Sequence, residues 1–497
     1  MLAWQRQLIQ GEVSRRARES KSRRSPGHLV ADELSRSELG DRRLDRRLRL
    51  VAEAISAKPK ASLPGAARTD AELTGMYRLL NNDDVDPQDV LSGHYLATGE
   101  RAAATAEVLV LHDTTTFQFE VDSEREALGH TNVGRGFFGH FSLVVDGSGV
   151  RKPLGLVNLE TWFRESPNRK EGKAGKRTGA ECARDENRES LRWDEGVDVA
   201  EERLPGVGPV HVMDREADSF RLLAGMATQG RRFIVRITQR ERVARADDES
   251  AWSTVAGLTT AAADRFEREV PLSPRRTSSA PRAKAAHPAR KKRLARLAFA
   301  TTSLVLRRPS YLGEPLPKEL PVNVVRVYEP EPPDGQEPVE WWLVTQESVA
   351  TSEETVRVVD HYRTRWLIEE YFKALKTGCG YKFSELESRD ALLRLLAISA
   401  VIAYSLLLLR HLSRHAGDLP ALDVLTDSQL HVLRSCGRRK LSAQPTVSEA
   451  LLAIAALGGH LKHNGDPGWE VIENGLERLL LIEEGWLAAT ASRSDQS

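Results

Sequence analysis

The apolar positions of this chain change their period twice along its length. Between residues 31 and 100 they recur at helical spacing, as at Leu44, Leu48 and Val51 of the segment ELGDRRLDRRLRLVAEAISAKP. Short β-rich runs follow, and after about residue 390 the apolar stretches are long and helical again. This order predicts an α/β protein of several domains.

Five short β-rich runs predict a central sheet. In chain order they are VLVLHD (108–113), HFSLVVD (140–146), PLGLVNL (153–159), PVHVMD (209–214) and RFIVRI (232–237). The segment from Gly147 to Gly149 separates the second run from the third and predicts a hairpin. A helical stretch over 217–229 separates the last two runs. Three strands, a helical connection, a strand, a helix and a strand predict a mixed sheet flanked by helices.

The changes of pattern divide the chain into four regions. The arginine-rich residues 1–30 predict a flexible arm, 31–100 a helical domain, 101–389 the sheet-containing core, and 390–497 a second helical domain. Inside the core, about residues 240–345 are irregular and rich in Pro and Arg. Strand-like runs there predict a β-rich insertion, at 297–306, 322–328 and 341–345. Its basic run from Arg290 to Arg293 fits either a solvated loop or a phosphate-binding one.

Composition narrows the class of protein. The 497 residues carry a formal charge of only +1, so any binding of nucleic acid must depend on local basic patches. Three cysteines without a CxxC pair argue against a disulfide framework and a cysteine zinc site, and fit a reducing cytoplasm. The N-terminus lacks the apolar region of a signal peptide. The apolar run 392–409 contains Arg394 and predicts a buried helix rather than a membrane span.

The segment HYRTRWLIEEYFKALKTG predicts an amphipathic helix with an unusual polar side. At about 100° per residue, Tyr362, Arg365, Glu369 and Lys376 fall within roughly 60° of arc. The other side is apolar, with Leu367, Ile368, Tyr371, Phe372 and Leu375. Solvated charges opposite a core face are the ordinary interpretation of such a helix. A carboxylate between two cations and a phenol is also a candidate phosphate-binding site.

Two aspartates favour the second interpretation. Asp113 and Asp214 each follow a short apolar run, at the predicted ends of buried strands. Either could merely cap the following segment, but a carboxylate in such a place is costly unless it is paired or binds a cation. Together with Glu369 they form a set of hard oxygen ligands suited to Mg²⁺ or Mn²⁺. Two such ions about 3.5–4 Å apart can promote phosphodiester cleavage.

The spacing Tyr-x2-Arg-x3-Glu-x6-Lys resembles the signature of the bacterial cut-and-paste DDE transposases of insertion-sequence family four. Further family-like motifs occur in family order: LGDRR (39–43), MYRLLNN (76–82), DTT (113–115), DREAD (214–218), RFIVR (232–236), RWLIEEYFKALKTGCG (365–380) and ALGGHL (456–461). The resemblance implies a ribonuclease H-like mixed-sheet catalytic core with a β-rich insertion. It also implies an N-terminal helical DNA-binding domain and a C-terminal helical dimerisation domain.

The resemblance also implies roles for individual residues. Asp113, Asp214 and Glu369 match the catalytic, metal-binding triad, which holds two Mg²⁺ or Mn²⁺ ions. Tyr362, Arg365 and Lys376 match residues that grip the phosphates of the transposon end and help to hold a flipped base.

Residues outside the triad and the signature match family positions near the DNA. Arg236 matches a residue near the DNA end, and Arg43 and Arg47 match end-binding arginines. Trp341 matches an aromatic platform for an extruded base, although a buried strand aromatic is the alternative. His140 matches a histidine beside the active site, or is a satisfied core histidine.

The implied activity is cut-and-paste DNA transposition in the bacterial cytoplasm, on nucleoid DNA and without a membrane. The steps are nicking at each element end, hairpin formation and opening, and strand transfer. Its partners are double-stranded DNA, as terminal inverted repeats and target, and a second copy of the chain in a paired-end dimer. Three alternatives remain open: a catalytically silent or domesticated DNA-binding relative, a structure-selective nuclease, and, more weakly, a glycosidase with paired carboxylates.

Overall fold

The computed structural model describes most of the chain in two compact units. The described residues are 26–119, 128–131, 134–165, 181, 188–247, 249–262, 264–272, 290–336, 338–461, 463 and 465–494. Unit 1 comprises residues within 1–106, 114–169 and 367–497, and unit 2 those within 107–113 and 170–366. Most of the predicted arm, residues 1–25, and Cys182 lie outside the described residues. The predicted domain boundaries of the chain remain predictions.

The helices follow the predicted order. They are α1 (Pro26–Leu34), α2 (Arg42–Ala57), α3 (Leu63–Ala66), α4 (Asp70–Leu80), α5 (Pro87–Ala103), α6 (Leu191–Arg203), α7 (Phe220–Thr228), α8 (Val255–Ala261), α9 (Ser352–Thr364), α10 (Trp366–Lys373), α11 (Arg389–His415), α12 (Asp427–Cys436), α13 (Val447–Leu457) and α14 (Trp469–Ser494). Side chains cap most of their N-termini. Asp41, for example, accepts from the backbone N–H of Arg43 at the start of α2.

The strands confirm the mixed sheet that the sequence predicts. They are β1 (Val108–Gln118), β2 (Gly129–His130), β3 (Arg135–Asp146), β4 (Pro153–Trp162), β5 (Val210–Met213), β6 (Arg232–Ile237), β7 (Val243–Ala246), β8 (Ser253–Thr254), β9 (Asp264–Leu272), β10 (Arg293–Arg307), β11 (Glu319–Tyr328) and β12 (Glu340–Thr345). The predicted hairpin is β3 and β4, which pair antiparallel in unit 1.

Unit 2 is built on parallel strands extended by an antiparallel sheet. The first part of β1 pairs parallel with β5, and β5 pairs parallel with β6. Strands β12, β11 and β10 then add in turn, each antiparallel to its neighbour. Helices α6 and α7 pack on this sheet through a buried core that includes Trp193, Leu223, Phe233 and Val344. The apolar runs of β5 and β6 are therefore the interior strands that their composition predicts.

Unit 1 is mainly helical and centres on α11. This helix is the one described segment long and apolar enough to cross a membrane, but 89% of its most apolar window is buried within the structure. The prediction of a buried helix over 392–409 is thus confirmed. The buried Arg394 of α11 donates to the carbonyls of Leu80, the last residue of α4, and of Val85, which follows that helix. These bonds tie the N-terminal helices to the core of the unit.

A buried ionic network joins α1 to α5 in unit 1. Arg101 donates to Glu33 at 2.7 Å, and His94 shares a hydrogen bond with the same carboxylate. The backbone N–H of Leu156 in β4 donates to the other ring nitrogen of His94 at 2.9 Å. Burial alone would raise the pKa of Glu33, but its contacts with His94 and Arg101 outweigh that effect and lower the pKa to about 2.

We predict that Glu33→Gln destabilises the protein at neutral pH by an amount that shrinks in acid. Because the folded-state pKa lies below the ordinary value of 4.5, the stabilisation is present above pH 4.5 and is lost as the pH falls towards 2. A shift of this size corresponds to about 3 kcal/mol. Urea unfolding at pH 7 and pH 3 measures it.

The matched control is Glu100→Gln, which removes an exposed pair with Arg36. Its effect should stay below about 0.5 kcal/mol at either pH. A Glu33→Gln penalty that is equally large at both pH values would contradict the assigned role.

Candidate active site

The parallel pairing of β1 with β5 places two of the predicted carboxylates side by side in unit 2. The register pairs Leu109 with Val210 and Leu111 with Val212. Continued two residues further, just past the end of β5, this register brings Asp113 level with Asp214, and paired strands lie about 4.8 Å apart. One prediction is corrected: β1 does not end at Asp113 but continues to Gln118, although its pairing with β5 ends at Leu111.

Two buried histidines tie the same strands together beside the aspartates. His112 Nε2 lies 2.9 Å from His211 Nδ1, and His211 Nε2 lies 2.9 Å from a carboxylate oxygen of Glu201 on α6. Burial lowers the pKa of His211, although Glu201 acts in the opposite direction. A neutral His211 suits a strand interior, and the chain of contacts fixes the spacing of β1 and β5 next to Asp113.

Asp113 is paired with the predicted phosphate-binding arginine. Arg365 Nη1 lies 2.8 Å from Asp113 Oδ2, and both side chains are about 15% exposed. The arginine follows α9 directly, with a helical backbone (φ −50°, ψ −29°). A cation therefore already neutralises one of the two carboxylates in this structure.

Asp214 begins a tight turn after β5. Its side chain accepts from the backbone N–H of Glu216 at 2.8 Å, which caps the 3-10 turn Arg215–Ala217. The capping role considered for this aspartate is thus confirmed, and one oxygen is used for it. The pKa of Glu216 is raised, chiefly by burial and further by the charge of Asp214.

Tyr362 and Arg236 complete the unit 2 part of the site. Tyr362 is only 9% exposed, so it does not lie on an open polar face as the helical projection predicts. Burial raises the pKa of its phenol, against the charge of Arg236 and Arg365 and a side-chain hydrogen bond with Arg236. The phenol is therefore protonated at neutral pH. Asp214 also acts on this pKa, which places the four residues in one electrostatic environment.

The prediction of one regular helix through the signature is wrong. Helix α9 ends at Thr364, and the N–H of Arg365 bonds to the carbonyl of Tyr362, three residues back. Beyond α10 the chain forms a π-helical turn, Ala374–Gly378, in which the N–H of Cys379 reaches back five residues. Because both changes alter the rotation per residue, a projection at 100° does not hold as far as Lys376.

Glu369 and Lys376 belong to unit 1. The apolar side of the predicted helix is confirmed here, since Ile368, Tyr371, Phe372 and Leu375 are buried. Lys376 Nζ donates to Thr115 Oγ1 at 2.6 Å and lies 5.5 Å from the ring centre of Phe117. The lysine and the hydroxyl are thus held together within unit 1.

His140 is a buried neighbour of the DTT motif in unit 1. Its Nδ1 lies 3.0 Å from the hydroxyl of Thr114. Thr114 follows Asp113 in the chain, so His140 contacts the residue next to a predicted catalytic carboxylate.

Trp341 and Trp342 point to opposite sides of β12. Trp342 is 3% exposed within the core of unit 2, and the guanidinium of Arg240 stacks 3.7 Å from its ring centre. Trp341 is half-buried, and its indole N–H has no hydrogen-bond acceptor among the described residues. Of the two tryptophans, Trp341 is therefore the one whose ring remains partly accessible to a binding partner.

Arg43 and Arg47 line a separate cleft of about 680 Å³ in unit 1, between α2 and α4. Three more arginines line it: Arg46, Arg68 and Arg78. The acidic residues Glu53, Asp70 and Glu72 balance part of this charge. The cleft therefore presents a local basic surface on a chain of nearly zero net charge, as nucleic-acid binding requires here.

The donor set fits a hard divalent cation, but the side chains are not arranged as a closed metal site. Over the described part of the chain, no three His, Cys, Asp or Glu side chains lie close enough together to hold an ion. Asp113 and Asp214 are oxygen donors on adjacent strands, the type that Mg²⁺ and Mn²⁺ prefer. Arg365 already contacts one oxygen of Asp113, so a cation bound by this carboxylate would share it with the guanidinium or replace the guanidinium.

Three features of the candidate site were not predicted from the sequence. The Arg365–Asp113 pair links residues 252 positions apart, and no local pattern signals it. Thr115 was part of a recognised motif, but its contact with Lys376 depends on packing. Asp218 is buried beneath the Asp214 turn, and its place four residues after Asp214 in DREAD was the available signal.

Comparison with known proteins identifies two parts of the chain. Residues 27–85 match the family model described as Transposase DNA-binding, and residues 194–406 match the one described as Transposase DDE domain. The first match contains the arginine-lined cleft, and the second contains Asp214 and Glu369. Together the two matches cover more than half of the chain.

Among solved structures, the chain matches the cryo-EM structure of a piggyBac transposase synaptic complex with hairpin DNA. The TM-score is 0.33 at 10% identity, covering 79% of this chain and 66% of that one. The chain thus spans just under two thirds of that transposase.

The two family matches agree in class and occur in the order expected of one enzyme, DNA-binding domain first. DDE domains use divalent metal ions to cleave and rejoin phosphodiester bonds. The chain therefore carries a transposase DNA-binding domain at residues 27–85 and a transposase DDE domain at residues 194–406.

Proposed function

We propose that this chain catalyses cut-and-paste DNA transposition, with Asp113, Asp214 and Glu369 as its catalytic triad on a ribonuclease H-like core. The observation that carries the proposal is the register of β1 and β5, which sets Asp113 beside Asp214. Glu369 lies on α10, four residues after Arg365, and Arg365 pairs with Asp113.

These three carboxylates would hold Mg²⁺ or Mn²⁺, in our proposal two ions, which supply an activated water and stabilise the leaving oxygen. Arg365 and Lys376 bind phosphates of the element end, Arg365 through a bidentate pair. The protonated phenol of Tyr362 donates to a phosphate oxygen, and Arg236 holds that phenol in place.

The reaction begins when a water oxygen attacks a phosphorus at the element end. The bond from phosphorus to the 3′ oxygen breaks and leaves a 3′ hydroxyl. That hydroxyl attacks a phosphorus of the opposite strand, which closes a hairpin and releases the flanking DNA through its 3′ oxygen. A second water then attacks the hairpin phosphorus and regenerates the 3′ hydroxyl, which attacks a target phosphorus and displaces a 3′ oxygen of the target strand. Trp341 supports the extruded base during hairpin formation, because its ring is partly accessible while that of Trp342 is buried.

The same proposal extends to partners and lineage. Arg43 and Arg47 bind the terminal inverted repeats from their cleft between α2 and α4. Two copies assemble on paired ends through the C-terminal helices, at about residues 390–497, and the product joins a target duplex. From the motif set we further propose that the chain is a bacterial transposase of insertion-sequence family four, resembling the transposase of transposon five, and that it acts on nucleoid DNA in the cytoplasm.

We predict that Asp214→Asn and Glu369→Gln each abolish cleavage of a duplex carrying the element end, while binding of that duplex persists. Each change removes a ligand charge but keeps the shape of the side chain. The loss should be at least about a thousandfold, as expected when transition-state charge stabilisation is removed. Cleavage is followed on denaturing gels with Mg²⁺ or Mn²⁺, and binding by mobility shift.

The matched control is Glu370→Gln, one residue away, whose carboxylate faces Arg410 and Arg414 instead. It should cleave like the wild type. Binding without cleavage by the wild type itself, under both metals, would favour a catalytically silent relative.

We predict that Arg365→Met strengthens binding of Mn²⁺ in the absence of DNA and weakens binding of the element end. The change frees Asp113 from its cation, which should lower the Kd for Mn²⁺ roughly fivefold, equivalent to about 1 kcal/mol. Electron paramagnetic resonance of free Mn²⁺ measures the first effect. Arg363→Met is the control, because Arg363 pairs with Asp360 instead. Equal Mn²⁺ affinity in the wild type and in both variants would contradict a competition between Arg365 and Mn²⁺ for Asp113.

We predict that Trp341→Ala blocks hairpin formation more than the first nick. Loss of a stacked base typically costs about 1–3 kcal/mol, so hairpin yield should fall roughly tenfold or more. Gels that resolve nicked and hairpin products measure the ratio, and Trp341→Phe should restore part of it. Defined nicks without hairpins from the wild type would instead indicate a structure-selective nuclease.

A further inference from the structure

The buried Asp218 fastens two parts of unit 2 that meet at the proposed site. Its carboxylate accepts the backbone N–H groups of Thr238 and Gln239 at 2.7 and 2.8 Å. Arg242 donates to its other oxygen at 2.9 Å, and both side chains of this pair are almost fully buried. The carbonyl of Asp218 accepts in turn from the side chain of Gln239. One residue thereby organises the whole loop that follows β6.

Asp218 is also rigidly connected to Asp214. The 3-10 turn between them begins with the Asp214 side chain on the N–H of Glu216. It closes with the N–H of Asp218 on the carbonyl of Arg215. A shift of Asp218 is therefore passed through a single short turn to the carboxylate that we propose as a metal ligand.

The loop 238–242, which Asp218 holds in place, adjoins other residues of the proposed site. It begins two residues after Arg236, which is hydrogen-bonded to Tyr362. It also contains Arg240, which stacks on Trp342 and lies 3.5 Å from Glu340. The loop thus links the strand of Arg236 to the strand of Trp341, and Asp218 links both to Asp214.

Stability alone is a poor explanation for this buried pair. Two guanidinium nitrogens of Arg242, Nε and Nη1, are buried without a hydrogen-bond partner among the described residues. A buried ion pair with unsatisfied donors contributes little net stability and is often improved by apolar replacement. Such local costs are expected where a site requires a fixed geometry.

We propose that Asp218 is a positioning residue of the transposase, which sets Asp214 relative to Arg236 and Trp341 through the loop 238–242. This inference rests on the proposed function, because it assigns the consequence to the metal ligand Asp214. Asp218 itself contacts neither the reacting atoms nor DNA in this scheme.

The test compares two double variants of the full-length chain. Asp218→Ala with Arg242→Met removes the pair without stranding a charge, but leaves the two backbone N–H groups of the loop without their acceptor. Glu329→Ala with Arg293→Met is the matched control, since that pair is also largely buried and ties β10 to the segment after β11. Both are measured for thermal stability, for Mn²⁺ affinity without DNA, and by hydrogen exchange.

We expect the Asp218 double variant to bind Mn²⁺ about tenfold more weakly, the usual size of an outer-shell effect. The control should bind Mn²⁺ like the wild type even if it melts at a lower temperature. Hydrogen exchange should accelerate at both 214–218 and 238–242 in the first variant only. Asp218→Asn, which keeps an acceptor oxygen, should show an intermediate Mn²⁺ affinity. This single variant replaces the double variant in the test if the double variant does not fold.

Wild-type Mn²⁺ affinity in the Asp218 double variant would overturn the inference. So would faster exchange at 238–242 with an unchanged 214–218 turn. A wild-type protein that binds no Mn²⁺ would count against the proposed metal site instead. In that case, faster hydrogen exchange at both 214–218 and 238–242 in the Asp218 double variant would still show that Asp218 connects the two segments.

Discussion

The site depends on the parallel pairing of β1 with β5. Parallel strands keep a constant register, so the pairing of Leu111 with Val212 alone brings Asp113 level with Asp214. A slip by one residue would turn one carboxylate to the other face of the sheet. The contact between His112 and His211 and the apolar burial of both strands oppose such a slip. Asp113 is thus held within a strand, and Asp214 in the capped turn that directly follows β5.

Two neighbouring carboxylates repel each other, and hydrogen-bonding and ionic partners elsewhere in the chain offset this repulsion. Arg365 neutralises Asp113, and the N–H of Glu216 satisfies one oxygen of Asp214. The same arginine suits two tasks, because a guanidinium binds a carboxylate and a phosphate with the same bidentate geometry. An exchange of Arg365 from Asp113 to DNA would couple loading of the site to arrival of the substrate.

The sequence predicted the elements of the site better than their ends. The run 232–237 coincides with β6, and the hairpin 140–146 with 153–159 is β3 and β4 with a few residues added. Hydrophobic periodicity is a local property, so it survives folding. The break of the signature helix at Arg365 and the π-turn at Lys376 were not predictable in this way. Both depend on which carbonyl each N–H finally reaches, and packing decides that choice.

The sequence by itself determined the order of helices and strands, the buried character of α11, and the residue types of a phosphoryl-transfer site. These follow from apolar spacing and from the chemistry of carboxylates beside cations. Only the tertiary structure decided that Asp113 and Asp214 are neighbours, that Arg365 contacts Asp113, and that Asp218 lies buried beneath the Asp214 turn. These contacts join residues about 20 to 250 positions apart. Their geometry is set by strand order and close packing, which no local pattern in the chain encodes.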